Sequence, residues 1–153
     1  MKKYMREILW GMFVLYAAFL LWILFFSREV RAMPLSEYLS EYSNFLPFRT
    51  TVRYIRYLFH RRDIWSIALG LSHIGGNFLL FLPMGFFLPT LLSYRTRRGV
   101  LLRIFLMIVG AEAIQAFLRL GILDIDDVIY NFLGAVTGYG INFRFREYIS
   151  IVH

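Results

Sequence analysis

The chain has 153 residues, of which 59% are hydrophobic, and its mean hydropathy is +0.58. A soluble domain is about 45–50% apolar, and here the excess falls in blocks, so a plain soluble enzyme is excluded. Net charge is +7 with no cysteine. Disulfides, thiolate metal sites and cysteine catalysis are therefore ruled out, and basic residues flanking apolar runs indicate anionic headgroups as partner, with no nucleic acid.

Ile8 to Ser27 is the first uncharged run, about the ~20 residues that a spanning helix needs. Lys2, Lys3 and Arg6 precede it and Arg28 closes it. No small-x-small cleavage site follows, so the segment reads as a retained anchor. Residues 28–63 form a long loop. Met33-Pro34 and Leu46-Pro47-Phe48 interrupt any helix there. Between Thr50 and Arg62 the pattern changes. Val52, Ile55, Leu58 and Phe59 share one helical face, with Arg53, Arg56 and His60 off it. That pattern predicts a short helix lying on the membrane surface; a solvated loop helix is the alternative.

Ile64 to Tyr94 holds no Asp, Glu, Lys or Arg over 31 residues. One helix of that length is about 46 Å long against a ~30 Å hydrocarbon core. A break at Gly75-Gly76-Asn77 is expected, with residues 64–72 interfacial or re-entrant. Pro83 and Gly85 are expected to kink the span that follows. The spans then fall at about 8–27, 77–92, 100–118 and 128–143 of a single membrane domain, residues 1–153. The fold class is all-α: a polytopic membrane protein of about four transmembrane helices plus the interfacial helix. Arg95, Arg97, Arg98 and Arg103 crowd the second connection, and Arg144 and Arg146 follow the last span. The positive-inside rule places both termini and loop 95–99 in the cytoplasm, although loop 28–63 carries seven arginines and argues the other way.

Polar residues inside apolar segments are costly and mark sites. At about 100° per residue, Asp127, Asn131, Gly134 and Gly138 lie within about 60° of one another. Asp124 extends that stripe if the helix starts early. Glu112, Gln115 and Arg119 form a second stripe on the preceding helix, which runs the opposite way. The stripes match level for level, Arg119 with the aspartates and Gln115 or Glu112 with Asn131, while His73 and Asn77 open the second span on the same side. Three roles fit the cluster. The residues pair with one another as helix–helix glue, helped by Gly134-x-x-x-Gly138. They bind the anionic head of a lipid-linked or amphipathic ligand, with Arg49, Arg53, Arg56, Arg61 and Arg62 adding charge. Or Glu112 with Asp124 or Asp127 works as acid and base, or the carboxylates hold a metal. His73 is more often a helix-end residue than a metal ligand. Asp124 or Asp126 at the helix start fits an N-cap as well as a cation. No hydrolase or phosphate-loop signature is present.

Several of these residues recur in one order. Asn44-Phe45-Leu46-Pro47-Phe48-Arg49, Gly76-Asn77 with Phe81-Leu82-Pro83-Met84-Gly85, Glu112-x-x-Gln115, and Asp124-Ile125-Asp126-Asp127 ending in Asn131-x-x-Gly134 resemble the VanZ-like family of bacterial membrane proteins over about residues 44–143. The resemblance implies a small multi-pass protein of the bacterial cytoplasmic membrane. The family's namesake is associated with resistance to teicoplanin, a lipid-tailed glycopeptide. Family members often carry a Gly-Arg pair before the acidic motif, whereas here Arg119 precedes Gly121. The expected protein is a non-enzymatic envelope protein whose pocket is lined by Arg49, Asn77, Glu112, Gln115, Arg119, Asp126, Asp127 and Asn131. It needs no cofactor or metal. Its partners are membrane lipids, a lipid-linked cell-wall precursor or a lipoglycopeptide antibiotic. The alternative is a membrane enzyme acting on such a precursor through Glu112 and Asp124 or Asp127.

Overall fold

The computed structural model describes residues 3–61, 64–92 and 96–152. Lys2, Arg62 and Arg95, which entered the charge argument, and Tyr94 at the end of the uncharged run lie outside them. Six α-helices dominate. They are α1 (Lys3–Leu21), α2 (Leu35–Glu41), α3 (Arg49–Arg61), α4 (Ile64–Leu91), α5 (Arg97–Phe117) and α6 (Ile125–Val152). Two short strands, β1 (Ser43–Asn44) and β2 (Leu123–Asp124), pair in parallel. Among the described residues three helical stretches are long and apolar enough to cross a membrane: Tyr4–Phe26, Gly70–Leu91 and Arg97–Phe117. α6 is long enough, but polar side chains such as Asn131, Thr137 and Asn142 lower its apolarity.

The expected break at Gly75-Gly76-Asn77 is absent. α4 is one helix of 28 residues, with Pro83 and Pro89 inside it, so residues 64–72 are its first turns and not a separate re-entrant piece. The sequence argument weighed glycine as a breaker. Next to a bilayer no water competes for the backbone, so the helical hydrogen bonds of such a segment persist. α1 passes into a π-helical turn, Trp22–Phe26, which ends at Ser27.

Contacts fix the directions. Tyr16 Oη donates to the Leu80 carbonyl at 2.8 Å while Phe13 meets Phe87, so α1 and α4 are antiparallel. α4 and α6 run parallel: Asn77 meets Asp127, Leu82 meets Gly138 and Phe86 meets Asn142. The core lies where these helices meet α5, around Leu24, Phe81, Met84, Leu88, Ile104, Ile108 and Ala135. Between helices that border lipid, such side chains stabilise by close packing and not by leaving water. One end of the bundle gathers the end of α1, the start of α4, the end of α5 and the start of α6. The segment 28–61 closes over it as a crown.

The crown is stitched by backbone. Val30 bridges Leu120, Arg31 N–H donates to the Arg119 carbonyl at 3.0 Å, and Leu123 N–H donates to the Tyr42 carbonyl at 2.9 Å. Arg31 also stacks on the Tyr42 ring, 3.9 Å from its centroid. Pro34 stands before α2 and Pro47 before α3, where their fixed φ and missing N–H are tolerated. α3 is the amphipathic helix expected from the pattern. Val52, Ile55 and Phe59 remain exposed along it.

Candidate functional site

Asp126 is fully buried. Its carboxylate accepts from the Phe48 N–H, from the Thr51 N–H at 2.9 Å and from the Thr51 hydroxyl at 2.8 Å. The first N–H groups of a helix have no internal partner, so a residue of α6 caps α3 from across the crown. Phe48 takes a left-handed φ of 62° to present its N–H. Such a conformation costs on the order of 1–3 kcal/mol in a non-glycine residue, and the charge-assisted bonds to Asp126 offset it. Asp126 was expected to line a pocket; it is instead the anchor of α3.

Asp124 caps its own helix. Its Oδ1 accepts from the Asp126 N–H at 3.0 Å and from Asn44 Nδ2 at 2.9 Å. Asp124 sits in β2, so it precedes the helical stripe rather than extending it. Asp127 turns the other way, toward α4. Asn77 Nδ2 donates to its Oδ1 at 2.6 Å, and His73 Nε2 lies 3.5 Å from the same oxygen. His73 and Asn77 are one helical turn apart and face Asp127 together. Tyr54 of α3 covers His73, ring centroids 5.0 Å apart.

Two cavities open around this group. The larger, of about 690 Å³, lies under the crown and is lined by Arg28, Arg31, Arg49 and Arg53 together with Asp124 and Asp127. Among the described residues the side chains of Arg49 and Arg53 make no hydrogen bond or ion pair, so their guanidinium groups are available to a ligand. The smaller, of about 430 Å³, lies between the end of α1 and α4. Arg28, Tyr54, His73 and Asp127 line both.

The two stripes do not meet as their level-for-level match suggested. Arg119 donates to the Met33 carbonyl at 2.8 Å rather than to the aspartates. It sits just past α5 with φ 57°, a left-handed helix-end position that glycine usually fills, and this turns its side chain to the crown loop. Gln115 donates to the Leu24 carbonyl at 2.7 Å, not to Asn131. That carbonyl belongs to the π-helical turn after α1, where no further helical N–H is available. Glu112 and Asn131 are buried at 5% and 2% exposure. Glu112, Gln115, Arg119, Asp126 and Asn131 line neither cavity; Arg49, Asn77 and Asp127 do.

The inner half of the α6 stripe has a different geometry. A Cβ at Gly134 would stand 1.9 Å from the Phe78 carbonyl oxygen, one at Gly138 1.9 Å from that of Leu82, and one at Gly85 of α4 1.9 Å from that of Ala135. Only glycine permits this approach, so the Gly-x-x-x-Gly reading as helix glue holds for this half. Among the described residues no group of three His, Asp or Glu is placed to hold a metal ion.

Comparison with protein families settles the kinship. The VanZ/LLP1 family model matches residues 13–146, nearly the whole chain. The chain belongs to the VanZ/LLP1 family. No curated protein and no solved structure matches it. The VanZ/LLP1 match extends the resemblance, drawn from residues 44–143, over α1. That extension covers Arg28, which sequence reasoning treated only as the charge ending the first span. Its one signal was position: a single cation at the level where the acidic motif begins. Asn44 enters the sequence reading only as part of the family motif, and Thr51 and Tyr54 do not enter it, because neutral polar residues carry no charge signal.

Proposed function

We propose that this VanZ/LLP1 protein binds the anionic head of a lipid-linked or amphipathic envelope ligand in the crown cavity, without turning it over. The observation that carries this reading is the pair of unengaged guanidinium groups in the cavity wall: Arg28, Arg31, Arg49 and Arg53 line it against Glu41, Asp124 and Asp127, and Arg49 and Arg53 make no side-chain hydrogen bond or ion pair. Guanidinium groups match phosphate and carboxylate through paired donors. On this reading the protein sits in the bacterial cytoplasmic membrane with both termini and loop 95–99 in the cytoplasm, so the crown faces outward, where lipid-linked cell-wall precursors and lipoglycopeptides are found. Sequestering such a ligand lowers sensitivity to teicoplanin.

The test is native mass spectrometry of the gently extracted protein. A co-purifying anionic lipid is expected, lost in an Arg49→Ala/Arg53→Ala variant; a lipid-free protein would overturn the reading. A reporter fused after His153 is active only in the cytoplasm if the orientation is right.

One observation favours a second reading as an enzyme. His73 and Asp127 stand together at the junction of the two cavities, a pairing suited to proton transfer. That pair replaces Glu112, which reaches neither cavity, as the acid–base candidate. A mass change in a cell-wall lipid precursor, abolished by Asp127→Asn, would establish it.

A further inference from the structure

We propose that the ligand enters the crown cavity sideways from the bilayer, between α1 and α4, and that its hydrocarbon chain stays in that cleft. This rests on the anionic-ligand reading above and names the ligand class: a phosphate-headed amphiphile with a long chain.

The two cavities share Arg28, Tyr54, His73 and Asp127, so the smaller one continues the larger. Their chemistry differs from end to end. Under the crown the wall is charged: Arg28, Arg31, Arg49 and Arg53 stand with Glu41, Asp124 and Asp127. Beside Ser72 and Asn77, the cleft wall adds Ile23 of the π-helical turn after α1, with Gly76 and Leu80 of α4. All three lie in stretches apolar and long enough to cross a membrane. Arg28 stands where the two meet, the level at which a head joins its chain.

The glycines of α4 are of two kinds. At Gly85 the absent side chain admits a neighbouring backbone, whereas a Cβ at Gly76 would meet nothing within 4 Å. Gly76 does not serve close packing; it keeps the cleft floor low. Below it the gap is shut by the Tyr16–Leu80 hydrogen bond and the Phe13–Phe87 contact. A chain that leaves by the side never passes through water, so its methylenes keep their apolar surroundings throughout.

The experiment compares Gly76→Trp with Gly75→Trp in nanodiscs. A Cβ at Gly75 also meets nothing within 4 Å, but Gly75 lines neither cavity. The probes are a polyprenyl phosphate and inorganic phosphate. Gly76→Trp is expected to weaken polyprenyl phosphate binding at least tenfold and leave inorganic phosphate unchanged, with Gly75→Trp like the parent for both. Undiminished polyprenyl phosphate binding by Gly76→Trp overturns the lateral path alone. A parent protein that binds neither probe overturns the ligand reading beneath it. The unsubstituted protein gives a measurement independent of folding: a polyprenyl phosphate with a photoreactive group in its chain. Label on Ile23 or Leu80, displaced by excess unlabelled lipid, supports the path. Label spread equally over lipid-facing Leu102 and Leu106, and not displaced, overturns it.

Discussion

Along their shared length α4 and α6 meet in two ways. At the crown end they are spaced by side chains, with Asn77 and His73 reaching Asp127 beside open volume. Two turns on, Gly134, Gly138 and Gly85 bring backbone against backbone. Both arrangements come from one stripe of α6. Asp127 and Gly138 are eleven residues apart, about 16 Å along the helix. A helix pair locked by glycine at one end can be held open at the other, because the lock fixes the axes and leaves the far side chains free to line a cavity. Close packing by glycine accounts for the deeper half of the stripe, and Asp127 at its start stands beside open volume.

The sharpest way to break the comparison is at the lock. Gly138→Leu forces atoms into the Leu82 backbone, and overpacking of that kind costs about 3 kcal/mol or more when backbone must move. The variant is expected to fail to accumulate, or to melt far below the parent in detergent. If it unfolds with the parent, the close contact is not what sets the helix pair. Asp126→Ala comes next. It strips the cap from α3 and leaves the Phe48 and Thr51 donors unpaired, costing about 1–3 kcal/mol. Amide exchange should rise in residues 48–56 while α4 and α6 stay protected.

The open end predicts the reverse pattern. Arg49→Ala/Arg53→Ala should accumulate and melt like the parent yet lose at least tenfold in anionic-lipid affinity, about 1.4 kcal/mol, with a flatter salt dependence. A large fall in melting temperature would make these arginines structural and merge the two regions. The smallest effect is expected at Gly75→Ala. The position is helical and unobstructed, so the change should be neutral or stabilise by about 0.5–1 kcal/mol, read from the thermal midpoint.

Much of this was legible beforehand. Apolar runs marked the three helices long and apolar enough to cross a membrane, helical spacing gave the exposed Val52–Ile55–Phe59 face, and polarity in apolar surroundings singled out Asp127 and Asn77. What failed depended on where a chain turns. Arg119 was assigned to the aspartates because stripe arithmetic assumes a helix to its last residue; its left-handed φ rotates it away. Asp126 looked like a ligand because its partners are the Phe48 and Thr51 backbone amides, and backbone donors carry no sequence signature. Gly75-Gly76 looked like a break because a helix's tolerance for glycine depends on what surrounds it.

The cap on α3 also sets a schedule. Its donors lie at residues 48 and 51 and its acceptor at residue 126, 75 or more positions later. The strand partner of Ser43 and the bridge partner of Val30 come equally late, at Leu123 and Leu120. As the chain leaves the ribosome, α3 exists for most of synthesis without the carboxylate that holds its first turn. The crown can close only after the start of α6 has been made, so a chain cut short before Asp126 lacks both the cap on α3 and the helix that carries it.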